Sequence, residues 1–169
     1  PEGLRPSSID DAYEIQRRVV PLYGGAPVGW KIGATSARAM ERFKLSDPVF
    51  GRLIEGKVHE SGALLKADAI FTRGAEVEFA FRMKADLPAA GAPYSEEAVV
   101  AAVAGLFPAI EVVASRYEDW LSLPPAEFIA DNATHGEFVG GALVEDWSPS
   151  ALPQHEVTIA LNGVEQGRD

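Results

Sequence analysis

A chain of 169 residues, 47% of them hydrophobic, has enough apolar surface for one well-buried domain but not for two. Fifteen Lys and Arg against 25 Asp and Glu give a formal charge of −10 and a pI near 4.8, a balance that repels phosphate backbones and anionic lipid. Neither nucleic acid nor a membrane surface is an expected partner. With no cysteine, disulfides, thiolate zinc sites, iron–sulfur clusters and cysteine nucleophiles are excluded.

No apolar run approaches the eighteen or so residues needed to cross a bilayer, and no basic segment followed by an apolar one opens the chain. Cytoplasm is the default expectation. Because the sequence opens on Pro1, the true start of the gene product is expected to lie before it.

In chain order, Ser8 with Asp11 three residues later resembles a capping box. Ile9, Ala12, Tyr13, Gln16 and Val20 fall along one face of the helix it opens, which should end before Pro21. Val28 to Gly33, apolar except for Lys31, reads as a buried strand. Ser36 caps a short helix through Phe43, and Asp47-Pro48-Val49-Phe50-Gly51 is a turn or loop with a possible short strand after it. Ala75 to Met83 alternates as a strand with a wholly apolar odd face. A helix capped by Ser95 is predicted to run to about Leu106, where Pro108 stops it, with a strand from Ala109 to Val113. Ser115 to Pro125 reads as a polar and aromatic connection, and strands follow at Glu137 to Val144 and Glu156 to Leu161. Asn162-Gly163 is the strongest hairpin signal. The strand after it has barely begun when the sequence stops at Asp169, so the expectation is an α+β domain whose C-terminal part lies beyond residue 169.

Glu76 and Glu78 share one strand face, with Cα atoms about 6.6–6.8 Å apart by strand rise, so both head groups can converge on one cation. The bland alternative is a face turned to water. Glu111 stands in Pro-Ala-Ile-Glu-Val-Val, which has the composition of a strand buried on both faces, and an unpaired carboxylate does not belong there. Three glutamates form an all-oxygen set suited to Mg²⁺ or Mn²⁺. Lys31, in Gly-Trp-Lys-Ile-Gly, either snorkels to water or serves a buried anion. Ala130-Asp131-Asn132-Ala133-Thr134 can bind polar ligands or build a loop through Asx turns. His59, His135 and His155 show no metal-ligand spacing, and only His135, beside Thr134, is held as a candidate acid or base. Trp30 and Trp120 read as packing residues that can also wall a pocket.

The succession Val28-Gly-Trp-Lys-Ile-Gly-Ala-Thr-Ser36, Pro48-Val-Phe-Gly51, Glu76-Val-Glu-Phe-Ala-Phe81, Pro108-Ala-Ile-Glu-Val-Val113, Ser115-Arg116, Asp119-Trp120 and Ala130-Asp-Asn-Ala-Thr134 resembles the 2-keto-4-pentenoate hydratase and 4-oxalocrotonate decarboxylase group of the fumarylacetoacetate hydrolase superfamily. The resemblance is collinear from about Ile9 to Gly167. It implies a mixed β-sandwich or β-roll core with flanking helices, forming a single domain over 1–169, and a homo-oligomer. It also implies a divalent metal on Glu76, Glu78 and Glu111, with Lys31, Asp131 and Thr134 as catalytic residues and Lys31 and Thr134 holding substrate. Threonine stands at 134 where the group has serine, and the hydroxyl is kept. The implied substrates are 2-oxo or 2-hydroxydienoic acids of aromatic catabolism. Hydration is the leading reaction, with decarboxylation, carbon–carbon hydrolysis and a non-catalytic supporting role as the alternatives. Two positions depart from the pattern: Val49 stands where the hydratases often have aspartate, and Gly56, after Glu55, where they have an acid.

Overall fold

The computed structural model describes residues 5–70, 72 and 74–168. Side-chain caps fix where its helices begin. Helix α1 (Ile9–Val19) starts where the Ser8 hydroxyl accepts the Asp11 N–H at 3.1 Å, carries Asp10 and Asp11 at its positive end and Arg17 and Arg18 at its negative end, and stops before Pro21 as expected. Helix α2 (Ala37–Phe43) is capped by Ser36 through the Ala39 N–H. Helix α3 begins at the predicted Ser95 cap but spans only Glu96–Ala101. The expected extension to Leu106 is instead the start of a strand, β5 (Val103–Val113), because Leu106 exchanges both backbone hydrogen bonds with Val144. Tertiary strand pairing thus overrides local helix preference. Pro108 lies within β5, exposed, its carbonyl accepting the Gly141 N–H.

The chain separates into two compact units, and strands β4 (Gly74–Met83) and β5 run from one into the other. The first unit comprises the chain up to Glu76 and Ile110–Val139. In it β1 (Pro27–Gly33) pairs antiparallel with β2 (Val49–Ile54), Lys31 opposite Gly51. The strand at 28–33 forms as expected, but its apolar residues are not the buried ones: Val28, Trp30 and Ile32 are each at least half exposed, whereas Lys31 is 5% exposed. Alternation places the lysine on the inner face and the apolar side chains outward.

Helix α4 (Pro125–Ala130) follows the predicted connection, in a stretch to which the sequence analysis assigns no element. Its local signals are Pro at the first helical position and Glu127 in the first turn. It packs Phe128 and Ile129 against Ala12 of α1, Val49 of β2 and Ala133, and full burial of one such large apolar side chain is worth about 1.5–3 kcal/mol. Buried Gln16 stitches the layers together by donating to the carbonyls of Phe50 and Ile129. Strand β6 (His135–Gly140) begins two residues before the predicted Glu137. Strand order in the larger sheet is β3 (Val58–Glu60), β6, β5, β4.

The second unit, Val77–Ala109 and Gly140–Asp169, holds α3 and the predicted hairpin, in which β7 (Thr158–Leu161) and β8 (Val164–Arg168) meet across Asn162-Gly163. Both turn residues have positive φ, 52° and 80°, as a tight two-residue hairpin demands. On β4, Phe81 meets Trp147 and Phe79 meets His155. Among the described residues no helix is long and apolar enough to cross a membrane.

Candidate metal centre

Glu111 is on the buried face of β5 and has no exposed surface, while its neighbour Ile110 is 41% exposed. The strand is therefore buried on one face at this point, not on both as its composition suggests, and the carboxylate occupies the inner one. It is not unpaired. One oxygen, Oε1, lies 2.9 Å from His135 Nδ1, and the other, Oε2, lies 3.2 Å from Lys31 Nζ. Lys31 does not snorkel: its side chain is 3% exposed and serves this buried anion.

Two residues apart on β4, Glu76 and Glu78 bring their head groups to the same place. Each of Glu76, Glu78 and Glu111 offers a carboxylate oxygen, and the three oxygens lie within 4.8 Å of one another. The trio spans the gradient from buried Glu111 through half-buried Glu78 to exposed Glu76. Although Glu76 reaches water, the protein around it strips enough solvent to push its carboxyl above the ordinary carboxylate range; Lys31 pulls it back and the Glu111 charge pushes it up again. Glu111 Oε2 forms no hydrogen bond among the described residues, despite the nearby ammonium. Carboxylate oxygens converging on one place, one of them from a fully buried glutamate, are a donor set suited to a hard dication.

The raised Glu76 carboxyl has a measurable consequence. A carboxyl whose folded value lies above its unfolded one favours folding as pH falls through the raised value and costs stability above it. A bound cation reverses this by favouring the ionised form. Metal affinity should therefore weaken as pH drops from neutral toward the carboxylate range, with proton release per Mn²⁺ bound rising over the same interval. Calorimetry in buffers of different ionisation enthalpy reads this directly, and proton release that does not change with pH would contradict it.

Asp131 and Thr134 lie in a segment of a different character. Asn132, Ala133 and Thr134 all have positive φ, between 49° and 58°, a run of left-handed non-glycine residues. Such conformations cost about 1–2 kcal/mol per residue, so surrounding contacts must hold them. Asn132 does much of this: its amide accepts the Arg52 N–H at 2.8 Å and donates to the Arg52 carbonyl at 3.0 Å, pairing with β2 as a strand residue would. The Asp131 carboxylate accepts the Ser115 hydroxyl at 2.7 Å, the Arg116 N–H and the Arg116 guanidinium, which also bonds the carbonyls of Asp131 and His135. Buried Thr134 donates its hydroxyl to the Ala133 carbonyl. The clamp formed by Arg116, Asp131 and Ser115, and the Asn132 pairing, are invisible to spacing; the Ser-Arg and Asp-Asn runs are their trace in the sequence.

Gly51 makes the approach possible. A Cβ there would stand 2.6 Å from the Asn132 carbonyl oxygen and 3.2 Å from Lys31 Cγ. Gly51→Ala should push the left-handed turn and Lys31 apart at a cost of about 1–3 kcal/mol, read as a lowered unfolding midpoint. An unchanged midpoint would show that the turn moves freely.

Beside the clamp, a cavity of about 770 Å³ is lined by Tyr23, Lys57, Thr72, Ser115, Arg116 and Trp120, among others. Trp120 thus walls a pocket, whereas Trp30 lies outside with Arg52 stacked on it. His59 pairs with Glu137, and His135 is the histidine brought to the carboxylate cluster.

No family model matches the chain. It is 33% identical over 165 residues to a 2-hydroxyhexa-2,4-dienoate hydratase of Comamonas testosteroni, covering 95% of this chain and 61% of that protein. It is 36% identical over 138 residues to a 2-hydroxypent-2,4-dienoate hydratase of Pseudomonas putida, covering 79% of this chain and 61% of the relative. Among solved structures, a 4-oxalocrotonate decarboxylase from Pseudomonas putida G7, complexed with magnesium and adipate, superposes with a TM-score of 0.77 at 26% identity, over 94% of this chain and 60% of that one. The chain thus spans about three fifths of the length of these proteins.

Proposed function

We propose, on the premise that the homologues of this chain are dienoate hydratases and oxalocrotonate decarboxylases, that it is a divalent-metal-dependent lyase of 2-oxo or 2-hydroxydienoic acids, with hydration as its reaction. The observation that carries this reading is the meeting of Glu76, Glu78 and Glu111 oxygens within 4.8 Å. These three residues would hold the cation, Mg²⁺ or Mn²⁺. A bound dication would supply a Lewis acid for the carboxylate and C2 oxygen of a 2-oxo acid and stabilise negative charge developing there.

The protein's own groups do the rest. Lys31, buried and charged beside Glu111, provides the positive field that draws an anionic substrate into a chain of net charge −10, and stands as the group that holds that anion or passes a proton. Thr134 keeps its oxygen lone pairs for a substrate or water while its proton is committed to Ala133. Asp131, whose oxygens are occupied by Ser115 and Arg116, acts on orientation by fixing the turn that carries Thr134. We read residues 1–169 as part of one fumarylacetoacetate hydrolase-like β-roll domain, working as a homo-oligomer in the cytoplasm.

Decarboxylation is the second reading, favoured by the magnesium-bound decarboxylase that shares the fold and by Val49 standing where hydratases often carry aspartate. The deciding experiment presents 2-hydroxypenta-2,4-dienoate and 4-oxalocrotonate separately with Mg²⁺ and follows product by absorbance and mass. A mass gain of one water supports hydration and loss of CO₂ supports the alternative. Turnover of neither, with oxalate binding that ignores Mg²⁺, overturns the enzymatic reading.

A further inference from the structure

His135 is not one of the residues assigned above to metal or substrate, yet its side chain has no exposed surface and contacts the most buried glutamate of the trio. We infer that His135 is a positioning residue for metal binding: an imidazole that donates from Nδ1 and locks the Glu111 carboxylate so that Oε2 is presented to the cation. The inference rests on the metal reading of the three glutamates and extends it to their support.

Three observations carry it. First, a carboxylate only accepts hydrogen bonds, so at 2.9 Å from Glu111 Oε1 the imidazole Nδ1 must be the donor. Second, His135 Nε2 is buried with no hydrogen-bond partner among the described residues. A proton on Nε2 would leave a buried N–H donor unsatisfied, which native interiors almost never tolerate, whereas a bare acceptor is tolerated more often. The geometry therefore suits the Nδ1–H tautomer and not the Nε2–H tautomer. Third, the division of labour on Glu111 is complete: Oε1 is committed to histidine, and Oε2 faces the Lys31 ammonium without a hydrogen bond. Without the histidine, Oε1 and Oε2 become interchangeable by rotation about the last side-chain torsion, and the ligand loses its fixed aim.

The ring's own placement is just as constrained. His135 follows directly on the left-handed run 132–134 and opens β6. Its carbonyl accepts from the Arg116 guanidinium, and the Thr134 carbonyl before it accepts the Ala114 N–H at 2.8 Å. The strained turn thus has an output beyond Thr134, because it fixes the residue that aims a ligand. Groups that support metal ligands in this way are worth about 10–100-fold in metal affinity.

The test measures Mn²⁺ affinity by calorimetry for the unmodified protein and for Glu111→Gln, His135→Leu and His135→Asn. Asparagine places a donor near the former Nδ1 and leucine places none. The inference expects His135→Asn to bind within about 3-fold of the unmodified protein and His135→Leu to bind about 10–100-fold more weakly. A merely structural histidine would lower the melting temperature of both variants and leave Mn²⁺ affinity unchanged; equal affinity in His135→Leu overturns the inference. Should that variant not fold, ¹⁵N imidazole spectra of the unmodified protein decide: an Nδ1–H tautomer for His135 whose ring resonances shift on Mg²⁺ addition supports it, and an Nε2–H tautomer, or a ring that stays unshifted in a protein calorimetry shows to bind Mn²⁺, overturns it. Failure of the metal reading looks different, since the unmodified protein would then bind no Mn²⁺ while the tautomer remained Nδ1–H.

Discussion

Replacing Glu111 with glutamine is expected to abolish Mn²⁺ binding and to lower the unfolding free energy by about 3–5 kcal/mol. The size follows from burial. Lys31 and Glu111 are 3% and 0% exposed at the side chain, so the neutral amide leaves an ammonium in the interior with its nearest counter-charge gone. Taking one partner from a buried ion pair costs more than the pair contributes, because the survivor keeps its desolvation penalty. The same reasoning predicts a rescue: Lys31→Met in the Glu111→Gln background should recover most of the lost stability and none of the metal binding. Urea unfolding followed in parallel with calorimetry separates the two effects. A Glu111→Gln protein as stable as the original would show that water reaches this pair, and one that bound Mn²⁺ normally would remove Glu111 from the ligand set.

The second large effect concerns Lys31 by itself. Lys31→Met should leave Mn²⁺ affinity equal or tighter, because the ammonium 3.2 Å from Glu111 Oε2 competes with the cation for that oxygen. The cost appears in the next step. Binding of oxalate, a chelating dianion that stands in for a 2-oxo acid, to the Mn²⁺-loaded protein should fall about 10–100-fold, the worth of one charge-assisted hydrogen bond of about 1.5–3 kcal/mol. Metal affinity kept or raised while oxalate binding falls is the signature of a lysine that serves the anion. Parallel losses of both would make Lys31 a packing element of the carboxylate cluster instead.

The parts of this site legible in the sequence are charged residues set among apolar neighbours or spaced two apart along a strand. Glu111 in a valine-rich strand and Lys31 between Trp30 and Ile32 stand out for that reason, and both are buried. Glu76 and Glu78 are legible because strand periodicity is two. Serine caps at 8, 36 and 95 locate three helix starts because capping is a local interaction. What stayed hidden is non-local. The end of α3 is set by Leu106 pairing with Val144, thirty-eight residues on, which no helix propensity registers. Helix α4 is stabilised by packing on α1, across more than a hundred residues, as the Gln16 bond to the Ile129 carbonyl shows. The outward turn of Val28, Trp30 and Ile32 depends on which face of β1 the chain covers, a choice that composition does not encode.

The same distinction explains the two groups that support the site. The engagement of Asp131 by Arg116 and the lock of Glu111 by His135 each join residues 15 to 24 apart through side chains whose directions only the folded turn at 132–134 supplies. A tally of acids, bases and hydroxyls identifies candidates of the right chemistry. Which of them face the substrate and which hold others in place is decided by the hydrogen bonds each has already committed.

The central claim is that three glutamate oxygens share one hard dication. A crystal of the protein soaked in Mn²⁺ and measured at the manganese absorption edge tests it most directly. The account predicts one anomalous peak bounded by carboxylate oxygens of Glu76, Glu78 and Glu111, absent in Glu111→Gln. Density without such a peak, with the three head groups turned away from one another, would contradict it.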